Sequence, residues 1–434
     1  MKITHIHIER FRGFQNEDFE VGSLLTAIAG QNGTQKSTLL GIITQTFTLK
    51  TEDSMRVEKP LCGGSYISAF KDKFRLSPTF DKPKGHEWTI SFDAGMDDFT
   101  VESIKRTGDP NVRFWKKGAR QEGDGYISFP TIFLSLKRLV PVAEEAKIIT
   151  DDTLLTQEEL NEFKQLHNKI LIAQTPISSA TTITSKNKQS IGVSTELYDW
   201  NQNSMGQDNL GKIILALFSF KRLHDKYPRQ YKGGILAIDE MDATMYPASQ
   251  VELLKVLRKY ASKLNLQILF TTHSMSLLKA MDDLVQEVTK KEETANQAKI
   301  LYLKKVDDKI AIKQGVNFKG IQLDLNVVAE GNNRKKNRIT AYTEDKENIL
   351  FVKAILKSKA FVLDFVDVTL PCSTLMELVT KRVPAFIYPY SIVILDGDVR
   401  MNKNDLRKIN NADNILILPG NKSPERLLAS YLYN

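Results

Sequence analysis

Apolar and polar residues near the start of the chain form two different patterns, and each predicts a strand. Residues Ile3 to Ile8 alternate apolar and polar, which predicts a strand with one solvated face. Leu24 to Ala29 are almost continuously apolar and end at Gly30, which predicts a buried strand. Alternation returns from Glu87 to Phe92, after a stretch over 62–84 that is rich in glycine, proline, serine and charge. We therefore expect a small antiparallel lobe with long loops.

Further along the chain, apolar segments alternate between helical and strand-like patterns. Helices are predicted over 209–223 and around 250–264, and strands over 235–238 and 267–271. Strands that alternate with helices in this way predict a parallel sheet. Before this series, a helix over 156–172 precedes a Ser/Thr/Lys-rich stretch, so the interval 142–195 is expected to hold an inserted helix and a mobile loop.

A second series of strands and helices begins near Arg338, after a polar stretch at Gly331 to Asn333. It comprises a strand that ends at Glu344, a helix over 345–357, a second strand over 361–368 and a further strand over 391–395. The fold class predicted is α/β with two domains, over 1–330 and 331–434. The second domain either ends at Asn434 or continues beyond it, and the sequence leaves both open.

Composition limits the classes of protein that fit the sequence. The chain has 434 residues, of which 41% are hydrophobic, which suits two globular domains. Neither a secretory leader nor a segment of about 18 uncharged residues is present, so a soluble, cytoplasmic protein without membrane contact is expected. Cys62 and Cys372 are too far apart in sequence to indicate a zinc site, and are expected to be ordinary thiols.

The balance of charge favours polyanions as partners. The net charge is +8, and the basic run Arg334 to Lys336 is followed by Arg338. Such a run either contacts the phosphates of DNA or is a solvated linker, and charge alone does not decide between them.

The segment after the buried strand nearly matches a P-loop, Gly-x-x-x-x-Gly-Lys-Ser/Thr. In such a loop, backbone N–H groups at the N-terminus of a helix surround phosphates, and the helix dipole also favours their negative charge. The lysine reaches the β- and γ-phosphates, and the serine binds Mg²⁺. We expect ATP and Mg²⁺ as cofactors, with the nucleotide held by Asn32, Gly33, Lys36, Ser37 and Thr38.

The loop departs from the pattern at Gln35, where glycine normally precedes the lysine. A side chain at this position can intrude on the phosphates, and glycine also permits backbone torsions that other residues avoid. Weaker nucleotide binding or slower hydrolysis is therefore expected.

Residues at the ends of two further strands match those of a nucleotide site. The strand from Gly234 to Ile238 ends in Asp239 and Glu240, as in a Walker B motif, where the aspartate holds Mg²⁺ and the glutamate orients the attacking water. The strand that follows ends near His273, which is placed to contact the γ-phosphate. Two acids after a strand can also be an ordinary capped loop, but the order of the motifs favours the nucleotide site.

A serine-glycine motif precedes the long helix before Asp239. ABC ATPases carry such a motif, Ser204-Met205-Gly206-Gln207, at this point, and its helix N-terminus reaches the γ-phosphate bound by the opposite subunit of a dimer. Alone, the same residues are a common helix cap. With the other motifs, they predict that Ser204, Gly206 and Gln207 bind nucleotide across a homodimer or higher homo-oligomer.

Together these segments resemble SMC-like ABC ATPases without a long coiled coil. The resemblance is strongest to the ATPase subunits of Septu-type and retron-associated antiphage systems and to the ATPase half of OLD-family proteins. It covers about residues 1–330 and rests on Phe11 to Phe14, the P-loop, Leu134 to Pro141, Leu197 to Trp200 and Ser204 to Asn209. It implies an ABC-type head with an antiparallel lobe and a parallel P-loop sheet, in which Glu240 and His273 act in catalysis. It also implies a nuclease or toxin effector as partner.

The second domain resembles a Toprim domain, in which a glutamate after the first strand and a later Asp-x-Asp bind divalent metal. The matching residues are Glu344, Asp396 and Asp398. Carboxylates at the edge of a parallel sheet form a hard oxygen site suited to Mg²⁺. The sequence departs from the family at Asp345, where glycine is usual, and at Asn348, where an acid is expected. Glu425 is either an additional ligand or an ordinary residue of a helix start.

Two functions follow from these motifs, and the sequence leaves both open. In the first, the chain is an ATP-binding regulatory subunit of an antiphage system that controls a partner nuclease or toxin. In the second, it is an OLD-type nuclease whose own ATPase governs cleavage of DNA by Glu344, Asp396 and Asp398. A nucleotide-binding protein that has lost hydrolysis through Gln35 is a third alternative.

Overall fold

The computed structural model describes residues 1–66, 70–93, 95–105, 112–119, 124–139, 148–151, 154–185, 189–330, 339–387, 391–409 and 412–433. The chain divides into two compact units, Met1–Leu325 and Asn326–Asn434. Within the described ranges, no helix combines the length and the apolar character that a membrane crossing needs. Each unit is described by itself.

The first unit contains both antiparallel and parallel sheets. Its strands are β1 (Ile3–Phe11), β2 (Phe14–Glu20), β3 (Leu25–Gly30), β4 (Phe47–Thr48), β5 (Glu87–Phe92), β6 (Phe99–Lys105), β7 (Val112–Lys116), β8 (Ile127–Ser128), β9 (Thr131–Leu134), β10 (Ile149–Asp151), β11 (Ser179–Thr184), β12 (Gln189–Ser194), β13 (Gly234–Ile238), β14 (Leu266–Thr272), β15 (Ala298–Val306) and β16 (Lys309–Lys313). Its helices are α1 (Lys36–Thr44), α2 (Phe70–Lys73), α3 (Gln157–Leu171), α4 (Met205–Lys226), α5 (Pro247–Lys263) and α6 (Met275–Thr289). A further helix, α7 (Phe318–Glu330), begins in this unit and ends beyond its last residue, Leu325.

The antiparallel lobe predicted from the alternating segments is present. Its strand order is β2-β1-β5-β6-β7. Alternate residues of these strands turn inward, because successive side chains of a strand point to opposite faces. Phe11, Trp88 and Phe114 meet there, with ring centroids 5.1–5.7 Å apart.

The parallel sheet predicted from the alternating strands and helices is also present, in the order β16-β15-β3-β14-β13-β9. All its pairs are parallel except β15 with β16. The residues of β3, β13 and β14 are buried throughout, as in a sheet covered on both faces. In register, Ala29 lies beside Thr272, and Ile238 beside Phe270. The carboxyl ends of three neighbouring strands therefore meet at one edge.

The Ser/Thr-rich stretch predicted as a mobile loop instead forms a hairpin, so that prediction is wrong for the described residues. Strands β11 and β12 pair with each other and with β10, while residues 186–188 lie outside the described part of the chain. Threonine is β-branched and favours strands, and the hairpin buries Ile183, Ile191 and Val193. Composition alone suggested a loop because most of its outward-facing residues are polar.

The second unit contains a parallel sheet with helices. Its strands are β17 (Ile339–Thr343), β18 (Leu363–Phe365), β19 (Ser391–Leu395) and β20 (Ile415–Ile417), and its helices are α8 (Lys346–Leu356), α9 (Cys372–Thr380), α10 (Lys403–Ile409) and α11 (Pro424–Leu432). The strand order is β18-β17-β19-β20, with every pair parallel. β18 is shorter than the predicted strand over 361–368, because residues 357–362 form a 3₁₀ helix. Val393 and Ile394 lie in separate apolar clusters, so the sheet is covered on both faces.

Candidate functional site

The ends of β3, β13 and β14 bring the predicted nucleotide motifs together. The P-loop follows β3, Asp239 and Glu240 follow β13, and His273 follows β14, the strand between the other two. Open parallel sheets bind ligands at the carboxyl ends of their strands. The register of the sheet thus places one phosphate-binding loop beside two segments that carry acids and a histidine.

The P-loop is a closed turn at the start of α1. Gly30 and Gly33 have φ angles of 152° and 80°, which are accessible to glycine. Thr34 donates from its hydroxyl to the Gln31 carbonyl at 2.8 Å. The Lys36 ammonium donates to the carbonyl oxygens of Gly30 and Gln31 at 3.1 and 3.0 Å. The lysine therefore lies along the inside of the loop, where its charge would meet phosphate oxygens.

Gln35 adopts a backbone conformation that favours glycine. Its φ and ψ are 61° and 33°, in the left-handed region, immediately before the first residue of α1. The side chain extends toward the turn between β1 and β2, where its Nε2 lies 3.1 Å from the position that a Cβ on Gly13 would take. Its Oε1 is buried without a hydrogen-bond partner among the described residues. The left-handed conformation costs about 1–2 kcal/mol for a residue with a Cβ.

Asp239 is the centre of a hydrogen-bonded group that joins the three strand ends. Its Oδ1 accepts from the Ser37 hydroxyl at 2.9 Å and from the Thr271 hydroxyl at 2.7 Å. The Thr271 hydroxyl in turn accepts from the backbone N–H of Glu240 at 2.6 Å. Ser37 and Asp239 are thus held as oxygen ligands of the kind that Mg²⁺ prefers. Both residues were predicted as metal ligands, which stays a prediction, and the chemistry of their oxygens fits that ion.

The charges at this edge act on one another. Burial lowers the pKa of Lys36, and the nearby carboxylates of Glu240 and Asp239 offset part of that effect. Burial and the charge of Lys36 also lower the pKa of His273. An imidazole with a lowered pKa is neutral at pH 7, so His273 would offer a hydrogen bond rather than a charge to a phosphate.

The serine-glycine motif forms the first turn of α4, four residues before the predicted helix start at Asn209. Ser204 is the N-cap, and its hydroxyl and the side chain of Gln207 make a capping box. Gly206 packs against the segment after β13, because a Cβ there would lie 2.5 Å from the Thr244 carbonyl oxygen. Ser204 itself is exposed. The helix N-terminus is therefore open to a ligand from outside the chain.

The structure adds residues to this site to which the sequence analysis gave no role. Thr271 links Asp239 to Glu240, as described above. Arg138 is 1% exposed and donates to the backbone of Glu240 and to the side chain of Asn209. Arg138 lies in a segment that supports the family resemblance, but a single arginine among apolar residues carries no sequence signal of its contacts.

In the second unit, the predicted metal ligands lie at the ends of two paired strands. Glu344 follows β17 and Asp396 follows β19, and these strands pair in register at Thr343 and Ile394. Burial and the charges of Asp396 and Asp398 raise the pKa of Glu344 to about 7. Burial and neighbouring carboxylates also raise the pKa of Asp396. A divalent cation would relieve such mutual repulsion, but Glu344, Asp396 and Asp398 do not form a group whose oxygens all lie within 4.8 Å of one another, so the chemistry of these donors fits Mg²⁺ and their spacing does not.

The two positions that depart from the Toprim pattern lie at the start of α8. Asp345 is the N-cap of α8, and its carboxylate accepts from the backbone N–H of Asn348 at 2.9 Å. Asn348 is completely buried. Asp345 also belongs to a second group of acids, in which its oxygens and those of Glu347 and Glu425 can lie within 4.8 Å of one another. Glu425 is in the first turn of α11, so its position fits either interpretation of that residue.

One segment of the chain matches a known protein family. Residues 135–278 match a family model described as an AAA ATPase domain. No curated protein sequence matches the chain. Among solved structures, the SMC head domain from Thermotoga maritima is similar, with 14% identity and a TM-score of 0.40, over 73% of this chain and 100% of that one.

Two further SMC heads show similarity at the same level. The Smc head bound to the C-winged helix domain of ScpA has 14% identity and a TM-score of 0.44, over 74% of this chain and 100% of that chain. The Smc head with an extended coiled coil, bound to the C-terminal domain of ScpA from Pyrococcus furiosus, has 13% identity and a TM-score of 0.41, over 76% and 99%. The family match contains β13 with Asp239 and Glu240, and a hydrogen bond from Ser37 joins the P-loop to Asp239. The chain is an ATPase.

Proposed function

We propose that this ATPase is of the ABC type, related to SMC heads, and that two copies bind ATP between them. The observation that carries the proposal is the hydrogen-bonded group of Ser37, Asp239 and Thr271, which joins the P-loop to the acids after β13. Mg²⁺ bound by Ser37 and Asp239 would neutralise charge on the β- and γ-phosphates. Asn32, Gly33, Lys36 and Thr38 would hold the phosphates.

Hydrolysis in this proposal uses two side chains at the strand ends. Glu240 orients a water molecule and accepts its proton as the water attacks the γ-phosphorus, and ADP leaves with the electrons of the broken P–O bond. His273, with its lowered pKa, donates a hydrogen bond to the γ-phosphate. The reaction needs positioning and electrostatic stabilisation more than covalent chemistry from the protein.

The surface around the start of α4 supports association of two copies. Ser204 is exposed, and the helix N-terminus would attract the γ-phosphate held by the opposite subunit, with Gly206 and Gln207 in the same turn. Large apolar side chains are exposed in the same and adjoining segments, which is typical of an interface. They are Leu136, Leu197, Met205 and Tyr246, with exposed fractions of 41–84%.

Substitution of Ser204 tests the dimer. Ser204→Arg places a bulky cation at the helix N-terminus, so ATP-dependent association should be lost while each chain stays folded. Light scattering with and without ATP measures association, and circular dichroism checks the fold. Lys226→Arg, at the other end of α4, is the control and should associate normally. The same nucleotide-dependent association in Ser204→Arg and the unaltered chain would refute this assignment.

In the cell, we propose that the nucleotide state of the dimer regulates a partner nuclease or toxin in antiphage defence. This part of the proposal extends the resemblance to Septu-type, retron-associated and OLD-family ATPases. The second unit would then be a scaffold or would contact DNA. Co-purification of the full chain with its neighbouring gene products, with and without ATP, tests the partnership.

One observation favours a second function, an OLD-type nuclease. Glu344, Asp396 and Asp398 lie at the ends of paired parallel strands, where burial and the charges of Asp396 and Asp398 raise the pKa of Glu344 to about 7. If they bind Mg²⁺ for phosphodiester cleavage, the ATPase would control DNA cutting within the same chain.

A further inference from the structure

Arg138 makes hydrogen bonds to three separate segments around the ATPase site. Its Nη1 donates to the carbonyl oxygens of Leu134 and Ser135, at 3.3 and 3.1 Å, and these bonds hold it at the end of β9. Its Nη2 donates to the carbonyl oxygen of Glu240 at 2.7 Å, and its Nε donates to Oδ1 of Asn209 at 2.7 Å. The planar guanidinium group can make these bonds at once, which an ammonium cannot.

Asn209 continues the connection from Arg138 to the segment after β13. Its side chain is completely buried in α4, and its Nδ2 donates to the carbonyl oxygen of Ala243 at 2.9 Å. One residue further along, the Thr244 carbonyl oxygen packs against Gly206, in the first turn of the same helix. The N-terminal turns of α4 thus contact the chain that follows Glu240 at successive residues.

The charge of Arg138 also bears on this site. Burial lowers its pKa to about 10, and Asp239 and Glu240 offset part of that effect, so the side chain stays protonated at pH 7. A buried cation is costly unless compensated, and here the compensation comes from acids of the ATPase site itself. Arg138 contacts no residue of the P-loop through its described hydrogen bonds.

We infer that Arg138 and Asn209 are positioning residues. When the opposite subunit's nucleotide binds at the N-terminus of α4, their hydrogen bonds hold Glu240 in place. The inference rests on the proposed function, in which the opposite subunit's nucleotide binds at Ser204 and Gly206. Binding there would fix the first turns of α4, and the hydrogen bonds through Asn209 and Arg138 would then fix the backbone at Glu240. Hydrolysis would in this way depend on dimerisation, without any direct contact between Arg138 and ATP.

The test compares Arg138→Lys, Asn209→Ala and the double variant with the unaltered full chain. Three quantities are measured on each: ATP affinity by calorimetry, ATP-dependent association by light scattering, and phosphate release over a range of protein concentrations. Arg222→Lys is the matched control. Arg222 also lies in α4 and makes a bidentate contact, with Glu159 at 2.6–2.7 Å, but it bonds to no residue of the site.

In the unaltered chain, turnover per chain should rise with protein concentration as dimers form. In Arg138→Lys and Asn209→Ala, ATP affinity and association should persist while turnover in the dimer falls by about tenfold or more, because displacement near ~1 Å can cost about 10²-fold. The double variant should lose no more than the worse single variant, since both residues belong to one connection. Arg222→Lys should keep full turnover.

Two results would overturn the inference separately from the proposed function. Normal turnover in dimers of both single variants, or an equal loss in Arg222→Lys, refutes the role of Arg138 and Asn209 alone. An unaltered chain that binds ATP yet neither associates nor shows concentration-dependent turnover refutes the dimer proposal, and the inference with it. Additive losses in the double variant would show that the two residues act independently and would refute the connection.

Discussion

Gln35 combines a left-handed backbone with a side chain directed at Gly13, and both features can be tested separately. Gln35→Gly removes the strain of about 1–2 kcal/mol and the side chain, although the added freedom of glycine in the unfolded chain offsets part of the gain. We expect tighter ATP binding or faster turnover, measured by calorimetry and phosphate release. Gln35→Ala removes only the side chain, so a gain limited to Gln35→Gly assigns the effect to the backbone. Unchanged binding and turnover in both variants would contradict the prediction.

His167, in α3, should make the first unit sensitive to acid. Burial lowers its pKa from 6.5 to about 4, and the neighbouring Asn168 offsets only part of this. Because the unfolded chain then binds the proton more readily, stability is full above pH 6.5 and falls as the pH drops toward 4. The loss is about 2 kcal/mol between pH 7 and pH 5.

Denaturation by urea at pH 7 and pH 5 measures this loss. In His167→Leu, the free energy of unfolding should differ less between pH 7 and pH 5, by about 2 kcal/mol, because leucine binds no proton. His224→Leu is the control, because His224 is exposed beside Asp225. An unaltered pH difference in His167→Leu would show that another group causes the acid sensitivity.

Among single residues, the sequence predicted those whose chemistry is indicated by their neighbours along the chain. Asp239 and Glu240 end an apolar strand, and Lys36 and Ser37 follow a glycine-containing loop, so the spacing alone indicates their chemistry. Arg138 could not be predicted, because its partners come from β13 and α4, which only the folded chain brings near. The left-handed backbone of Gln35, in contrast, fits the expectation that the position favours glycine.

Among the elements, α4 depends on the close approach of Gly206 to the Thr244 carbonyl oxygen. A Cβ on Gly206 would lie 2.5 Å from that backbone atom, so Gly206→Ala should displace the helix or the segment after β13. We expect a loss of about 1–3 kcal/mol in stability, as for other overpacked sites, together with weaker ATP-dependent association.

Gly320→Ala, in α7, provides a matched glycine-to-alanine control. There the nearest atom to the new Cβ would be a side-chain carbon of Val316, at 3.1 Å, which can move. Chemical denaturation and light scattering of both variants measure the two effects. Equal stability and association in Gly206→Ala and the unaltered chain would show that the close approach has no energetic role.

The elements that the sequence predicted well have long, regular patterns. Helix α4 was predicted but begins at Met205 rather than Asn209, although the capping box at Ser204 and Gln207 was readable from their spacing. The hairpin of β11 and β12 was mistaken for a loop because its burial depends on α4, which packs against β12. The strand predicted over 361–368 is present only as β18, since three residues are too few to show a period of two and so to define where the strand begins and ends.

For the whole molecule, the sequence predicted a parallel sheet but not the order of its strands. Because β14 lies between β3 and β13, the P-loop, Asp239 and His273 share one edge of the sheet. This position of β14 results from pairing between segments that are distant in the sequence. In the second unit, the order β18-β17-β19-β20 likewise places Glu344 beside Asp396. These orders rest on packing of the sheets against helices on both faces, which local patterns do not encode.

The last prediction concerns the full chain as a nuclease. We expect it to cleave DNA weakly at most, because Asn348 replaces an acid that the Toprim pattern expects, and this reduces the negative charge that holds a hard cation. Asp345 adds a side chain next to Glu344 and is engaged as the N-cap of α8. A shift of Glu344 near ~1 Å could lower the rate by about 10²-fold. A partner would then supply most of the cleavage.

Supercoiled and linear DNA incubated with the full chain in Mg²⁺ or Mn²⁺ provide the measurement. The double variant Asp396→Ala, Asp398→Ala is the control, because it removes two of the proposed ligands while Lys36 and Asp239 of the ATPase site stay intact. Burial and the charges of the two aspartates raise the pKa of Glu344 to about 7, and the part due to those charges should disappear in this variant, which links the assay to the carboxylates themselves. If the unaltered chain cleaves DNA robustly and the double variant does not, the scaffold role of the second unit is rejected. The OLD-type nuclease would then be the better account of the protein, with ATP turnover controlling the cut.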